Sequence, residues 1–204
     1  MKYLFALFVL VLITACSPST ITEGDSFIDP GWNGARTNSV IVQVMNAPYN
    51  EQKAIEDNVV STLNEKGLKA IASYNLLLPT RDYTIKLKND ILADSGYETR
   101  LEITPYNRDM VTEYIPPAPG PFGTVGYGSG GGFGGVGFGI DFGGGQVRQD
   151  PLIHYKTDLY IINDNRKIWT GDYTARGVSG ISFEAVGKKF AKEIVKKLEE
   201  DGLI

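Results

Sequence analysis

Residues 155–175 have the sequence Y-K-T-D-L-Y-I-I-N-D-N-R-K-I-W-T-G-D-Y-T-A, and this stretch decides the fold of the chain. Two runs rich in β-branched and aromatic residues, Tyr155–Ile162 and Lys167–Ala175, flank the polar segment Asn163–Arg166. Such an arrangement predicts two strands joined by a hairpin turn. In the second strand we expect Trp169 to pack under a helix, with Gly171 allowing close backbone approach. A binding role for Trp169 is the alternative.

The strongest helical pattern of the sequence follows this hairpin. Its apolar residues recur at spacings of three and four, and lysines occupy the remaining faces. This periodicity predicts an amphipathic helix that packs on the sheet. The apolar stripe consists of Phe183, Val186, Phe190, Ile194 and Leu198.

Strands and helices alternate in the sequence before the hairpin. Val40–Met45, Leu68–Tyr74 and Glu98–Tyr106 predict strands, and Val111–Ile115 predicts a further short strand beside the third. Helices are expected from an Asn50 cap to Gly67 and from Thr80 to Ala93. The order β-α-β-α-β-(β)-β-β-α predicts an α/β fold over residues 39–204. We expect a single two-layer sandwich whose mixed sheet carries helices mainly on one face.

A glycine-rich insert, residues 119–145, interrupts this pattern. Gly126, Gly128 and Gly131 fit the spacing G-x-G-x-x-G, but no strand leads into them and no helix follows. A dinucleotide site is therefore not expected. The simplest interpretation is a flexible loop, because glycine loses the most entropy when it is ordered.

Alternation of apolar and small residues within the insert supports a sharper hypothesis. A hairpin with one aromatic face would suit a partner protein, self-association or a membrane-inserted strand. The candidate interaction residues are Tyr127, Phe133, Phe138 and Phe142.

The N-terminus has the order of a secretory signal, with Lys2 followed by an apolar run from Leu4 to Ile13. Its ending, Ile13-Thr14-Ala15-Cys16, resembles the lipobox of bacterial lipoproteins; an ordinary signal peptide containing a cysteine is the alternative. The resemblance implies removal of residues 1–15 and acylation (palmitate among the chains) of Cys16, the single cysteine of the chain. More than one acyl chain gives a stable membrane anchor.

In that family, Ser17 in place of aspartate implies the outer membrane, with the domain facing the periplasm. In an organism with one membrane, the location would be the surface of the cell membrane. Residues 16–38 are polar and rich in turn formers, which predicts a lipidated tether of about twenty residues that holds the domain clear of the bilayer.

Composition argues against most enzyme classes. His154 is the single histidine, so a multi-histidine zinc site is not possible, and we expect His154 to be structural and not part of a histidine-based triad. The formal net charge of −4 does not favour nucleic acid. No catalytic residue, cofactor or metal site is predicted, and a glycan hydrolase with paired carboxylates is the weakest alternative.

The segment Thr157–Ala175 also resembles the C-terminal module of a family of uncharacterised bacterial lipoproteins (a domain-of-unknown-function group). In that module a strand, a turn and a W-x-G strand precede a terminal helix. The order of elements is similar to the TolB amino-terminal, curli-secretion lipoprotein and penicillin-binding-protein activator lipoprotein domains. The lipobox, the polar tether, the lack of catalytic residues and the glycine-rich insert together predict a non-enzymatic interaction or scaffold module at the membrane surface. The alternative is a subunit of an oligomeric envelope assembly or secretion channel that uses the insert as its interaction hairpin.

Overall fold

A computed structural model describes residues 20–115, 146–176 and 183–204. These residues form one six-stranded sheet and three α-helices, with a single 3-10 turn at Ser73–Asn75. The strands are β1 (Thr20–Ile28), β2 (Ser39–Val44), β3 (Lys69–Ala72), β4 (Thr99–Ile115), β5 (Gln146–Ile161) and β6 (Arg166–Arg176). The helices are α1 (Tyr49–Glu65), α2 (Ile85–Asp94) and α3 (Phe183–Glu200).

The sheet has the strand order β1-β6-β5-β4-β2-β3. Strand β2 pairs in parallel with β3 and β4, through crossovers that contain α1 and α2, whereas all other neighbours are antiparallel. The sheet is therefore mixed, and the predicted α/β class is confirmed. The hairpin predicted from residues 155–175 forms between β5 and β6.

Helices α1 and α3 cover one face of the sheet, which we call the helix face. Their apolar stripes meet the inward residues of the central strands in the larger of two core clusters. That cluster includes Val40, Val42, Leu101, Ile103 and Leu159 from the sheet and Ile55, Leu63, Phe190, Ile194 and Leu198 from the helices. On the opposite face, Leu92 of α2 and Leu77 pack on Ile41 in a smaller cluster. Two of the three described helices thus share one face, as predicted.

Both helices of the N-terminal half begin elsewhere than predicted. Helix α1 starts at Tyr49 with Pro48 at its cap, so Asn50 is already inside the first turn. Helix α2 starts at Ile85, where the Thr84 side chain accepts the Leu87 N–H at 3.2 Å. Thr80 is not its cap, because it lies in a turn that the Arg81 N–H closes on the Leu78 carbonyl.

The expectation of a polar tether over residues 16–38 is corrected for its middle part. Thr20–Ile28 is strand β1, which pairs antiparallel with β6 at the edge of the sheet. The pairing stabilises this polar segment because Ile21 packs on the main core and β6 would otherwise have an unpaired edge. A bulge between Glu23 and Ser26 then bends the edge.

Candidate interaction surface

Strands β4 and β5 continue past the rest of the sheet as a two-stranded arm. Residue Asp109 of β4 stands in one cross-sheet row with Leu152, Arg176 and Thr20, the row at which β6 ends and β1 begins. The arm beyond that row consists of Met110–Ile115 and Gln146–Pro151. Six residues of strand extend it by about 20 Å. The prediction of a separate strand at 111–115 is wrong, since these residues prolong β4.

A bulge at the base of the arm changes which residues of β4 point to the helix face. Pro105 pairs with Tyr155 but Asn107 pairs with His154, so Tyr106 is the extra residue. Pro105 has no N–H to give to the ladder, which is typical of such a site. Beyond the bulge, the even-numbered residues of β4 point to the helix face.

The arm exposes large apolar side chains. Met110 and Tyr114 lie on its helix face and are 58% and 62% exposed. We call these two side chains the arm patch. Tyr106 is equally exposed at the bulge, where its ring lies 5.8 Å from the His154 ring. Thr174 on β6 holds the same His154 ring through a 3.1 Å bond to Nδ1.

A buried carboxylate fixes the base of the arm to helix α1. Glu51, in the first turn of α1, is fully buried. One guanidinium nitrogen of Arg108 donates to its two oxygens at 3.0 and 2.8 Å, and the Tyr155 hydroxyl donates at 2.9 Å. Burial, followed by the charge of Glu51, raises the pKa of Tyr155. The phenol therefore stays protonated and remains a donor.

A second buried carboxylate, Glu56, links three elements within the core. It accepts the Val44 N–H at 2.8 Å, the Gln52 side chain at 3.0 Å and the Ser73 hydroxyl at 3.0 Å. Burial raises its pKa. Because its lone pairs are occupied and its side chain is sealed from solvent, Glu56 is a structural residue with no access to a substrate.

Trp169 belongs to the core, 1% exposed, and this corrects the candidate interaction role for it. Its Nε1 donates to Asp201 at 2.7 Å, and Ser26 donates to the same oxygen at 3.1 Å, so the indole joins β6, β1 and the end of α3. A Cβ on Gly171 would lie 2.7 Å from the Trp169 ring. The W-x-G spacing therefore serves packing, because only a glycine lets the indole lie against the strand.

The face of the sheet opposite the helix face carries a charge-balanced network on β4, β5 and β6. Arg100 lies 3.3 Å from Glu102, and Lys167 lies 3.0 Å from Asp158. Both cations also lie over the Tyr160 ring, at 5.0 and 5.6 Å from its centroid. Because the charges cancel, this face offers no strongly charged patch to a partner within the described part of the chain.

A cavity of about 300 Å³ lies beside this network, between α2 and the β5–β6 turn. Two carboxylates, Asp90 and Asp164, line it and both are exposed. Asp164 accepts the Arg166 N–H at 3.1 Å and so is engaged in the turn. Among the described residues, no group of three or more His, Cys, Asp or Glu is placed to hold a metal ion.

Comparison with known proteins finds solved structures of similar fold but does not assign the chain to a family. No family model matches the sequence, and no curated protein matches it significantly. The PelC dodecamer of Paraburkholderia phytofirmans is 12% identical, with a TM-score of 0.46 over 88% of this chain and 96% of that one. Lipoprotein GNA1162 of Neisseria meningitidis is 10% identical, with a TM-score of 0.42 over 79% and 98%. A Xanthomonas campestris protein of a domain-of-unknown-function family is 12% identical, with a TM-score of 0.39 over 87% and 94%.

These likenesses are too distant to transfer a function to this chain. The predicted membership of a particular lipoprotein family remains a prediction, since no family model matches. Within residues 20–115, 146–176 and 183–204, no helix has the length and apolar content to cross a membrane.

The remaining predicted site residues lie outside the described residues. They are the lipidation residue Cys16 and the insert residues Tyr127, Phe133, Phe138 and Phe142. The structure adds Tyr106, Met110 and Tyr114, which sequence reasoning missed. Their signal is weak, because the bulge at Tyr106 breaks the two-residue alternation that marks a strand.

Proposed function

We propose that the protein is a lipid-anchored, non-enzymatic envelope lipoprotein that acts as an interaction or scaffold module at the membrane surface. The lipobox-like ending at Cys16 supports the anchor, and its context favours the outer membrane, facing the periplasm. The observation that carries the interaction role is the arm. No described side chain of the arm belongs to either hydrophobic core cluster, yet Arg108 bonds to the buried Glu51 at its base, and the arm exposes the arm patch.

The bonding of the buried carboxylates and the pairing of surface charges within the described residues support a non-enzymatic role. Among the described residues, three carboxylates are buried to within 1% exposure, Glu51, Glu56 and Asp150, and all three bond to donors within the protein. The polar face of the sheet pairs its own charges. Contact with another surface is therefore the activity that this geometry serves best.

A subunit of an oligomeric envelope assembly is the second candidate. The arm favours it as well, because residues 116–145 follow directly from the arm strands and would continue it as an interaction hairpin. In that case the arm patch would contact a neighbouring copy of the chain. The two candidates differ in oligomeric state.

Fractionation and light scattering separate these proposals. Cys16→Ala should move the protein from the membrane to the soluble fraction, and a variant that stayed membrane-bound would contradict the anchor. The detergent-solubilised lipoprotein should be a monomer for the module and larger for the assembly. Met110→Ser with Tyr114→Ser should dissociate an arm-mediated oligomer. The matched control, Ile85→Ser with Leu87→Ser, removes similarly exposed apolar side chains from α2 and should leave the mass unchanged.

A further inference from the structure

We propose that the arm patch, Met110 and Tyr114, contacts the lipid bilayer in which Cys16 is anchored. The inference rests on the lipid anchor of the proposed function and deepens it, since it names the bilayer as the partner of the arm. Three observations carry it: the length of chain between Cys16 and β1, the direction of the arm and the chemistry of this end of the domain.

The chain between the anchor and the sheet is short. Strand β1 begins at Thr20, only four residue steps after Cys16. Four fully extended residues span at most about 14 Å. An acylated Cys16 lies at the level of the lipid headgroups, so the Thr20 end of the sheet is held within that distance of the bilayer.

The arm extends on the same side of the sheet as the anchor. Strand β1 starts at the row that contains Asp109 of β4, and this first end of β1, four residues from Cys16, faces the direction in which β4 continues into the arm. Three strand spacings, about 14 Å, separate β1 from β4. Tyr114 lies five residues beyond the row, or about 17 Å. The arm therefore reaches at least as far toward the membrane as the extended chain to Cys16.

The side chains at this end suit a membrane interface. Within the described part of the chain, the three tyrosines among the exposed large apolar residues lie here: Tyr106 and Tyr114 on β4, and Tyr49 beside Glu51 at the start of α1. Tyrosine is enriched where the headgroups meet the hydrocarbon, because its ring is apolar and its hydroxyl polar. Methionine adapts to irregular apolar surroundings.

Lipid-dependent quenching of a single label tests the contact. Acylation leaves Cys16 without a free thiol, and the chain has no other cysteine, so Met110→Cys, Tyr114→Cys and Asn163→Cys each introduce one labelling site. Asn163 is the control, exposed in the β5–β6 turn at the opposite end of the sheet. Each lipidated protein is labelled with a nitrobenzoxadiazole dye. It is then reconstituted in phosphatidylethanolamine–phosphatidylglycerol vesicles containing doxyl-labelled lipid.

The doxyl lipid should lower the emission of the labels at 110 and 114 about twofold, as it does for groups at the membrane interface. The emission of the label at 163 should not change. Equal emission at all three sites in vesicle-bound protein would overturn the bilayer contact while leaving the anchor intact. A label at 114 that is protected from aqueous iodide but not quenched by doxyl lipid would also overturn it, in favour of a protein neighbour. A mature protein that fails to sediment with the vesicles would overturn the anchor itself.

Discussion

Replacement of Arg108 tests whether the buried cluster at the base of the arm stabilises the protein. Arg108→Met keeps the aliphatic length of the side chain and removes the guanidinium that donates to Glu51 at 2.8 and 3.0 Å. Glu51 then remains fully buried with the Tyr155 hydroxyl, at 2.9 Å, as its remaining side-chain donor. Glu51→Gln removes the buried charge and retains an amide oxygen that accepts from Tyr155.

The expected cost follows from the geometry. A hydrogen bond to a charged group contributes about 1.5–3 kcal/mol, and a single guanidinium nitrogen makes this contact. The Arg108 side chain is 45% exposed, so solvent screening lowers its contribution. We expect Arg108→Met to cost about 2 kcal/mol, a value between those of exposed and fully buried pairs. In the double variant no buried charge is left unpaired, so the cost should fall to about 1 kcal/mol.

Urea unfolding of the detergent-solubilised protein, followed by the fluorescence of the buried Trp169, measures these differences. The four proteins of a double-mutant cycle give the coupling energy between Arg108 and Glu51 directly. The decisive result is the order of the free energies of unfolding. The double variant, Arg108→Met with Glu51→Gln, should be more stable than Arg108→Met alone. Costs that simply add, with no coupling beyond error, would refute the idea that the pair stabilises the arm.

Three further predictions concern the core and its pH dependence. Gly171→Ala should cost about 2–3 kcal/mol, because the new Cβ would lie 2.7 Å from the Trp169 ring, and thermal melts should show a Tm lower by about 5–10 °C. Glu56→Ala should lower the free energy of unfolding in urea by about 3–5 kcal/mol, because buried donors are left without an acceptor, and Glu56→Gln should lower it by only about 1 kcal/mol. Burial raises the pKa of Tyr155 and of Tyr173, so the unfolded chain ionises first. Stability should therefore be complete below about pH 10 and fall above it, and Tyr→Phe at both positions should flatten this alkaline loss in unfolding curves.

Local patterns predict most of the fold. The β5–β6 hairpin and the stripe of α3 have strong two-residue and 3.6-residue periods, because each buries one continuous face on the sheet. The packing roles of Trp169 and Gly171 are predictable for the same reason, since both lie within that hairpin. Composition alone excludes a multi-histidine zinc site, because the chain has a single histidine.

Non-local pairing sets the limit of prediction. Thr20–Ile28 has too few apolar residues to indicate a strand, and its stability depends on β6, about 150 residues later in the chain. The arm escapes prediction because the bulge at Tyr106 reverses the alternation of β4 halfway along it. Helix α1 starts before its predicted cap because Pro48 suits the beginning of a helix as well as Asn50 suits a cap.

The assignment of Thr20–Ile28 to the sheet changes how an anchor at Cys16 would act on the domain. A flexible tether of about twenty residues averages about 25 Å end to end and would let the domain turn freely, so an exposed apolar arm would face solvent most of the time. With a segment of only four residues, an anchor at Cys16 would remove that freedom and would hold one end of the sheet near the bilayer. A two-stranded ribbon is only marginally stable in water by itself. The arm is fixed at its base, where Arg108 meets Glu51, and the proposed bilayer contact of Met110 and Tyr114 would fix its outer part. On this proposal the anchor orients the arm toward the bilayer. Lengthening the chain before Thr20 should therefore remove the bilayer contact of the arm without releasing the protein from the membrane.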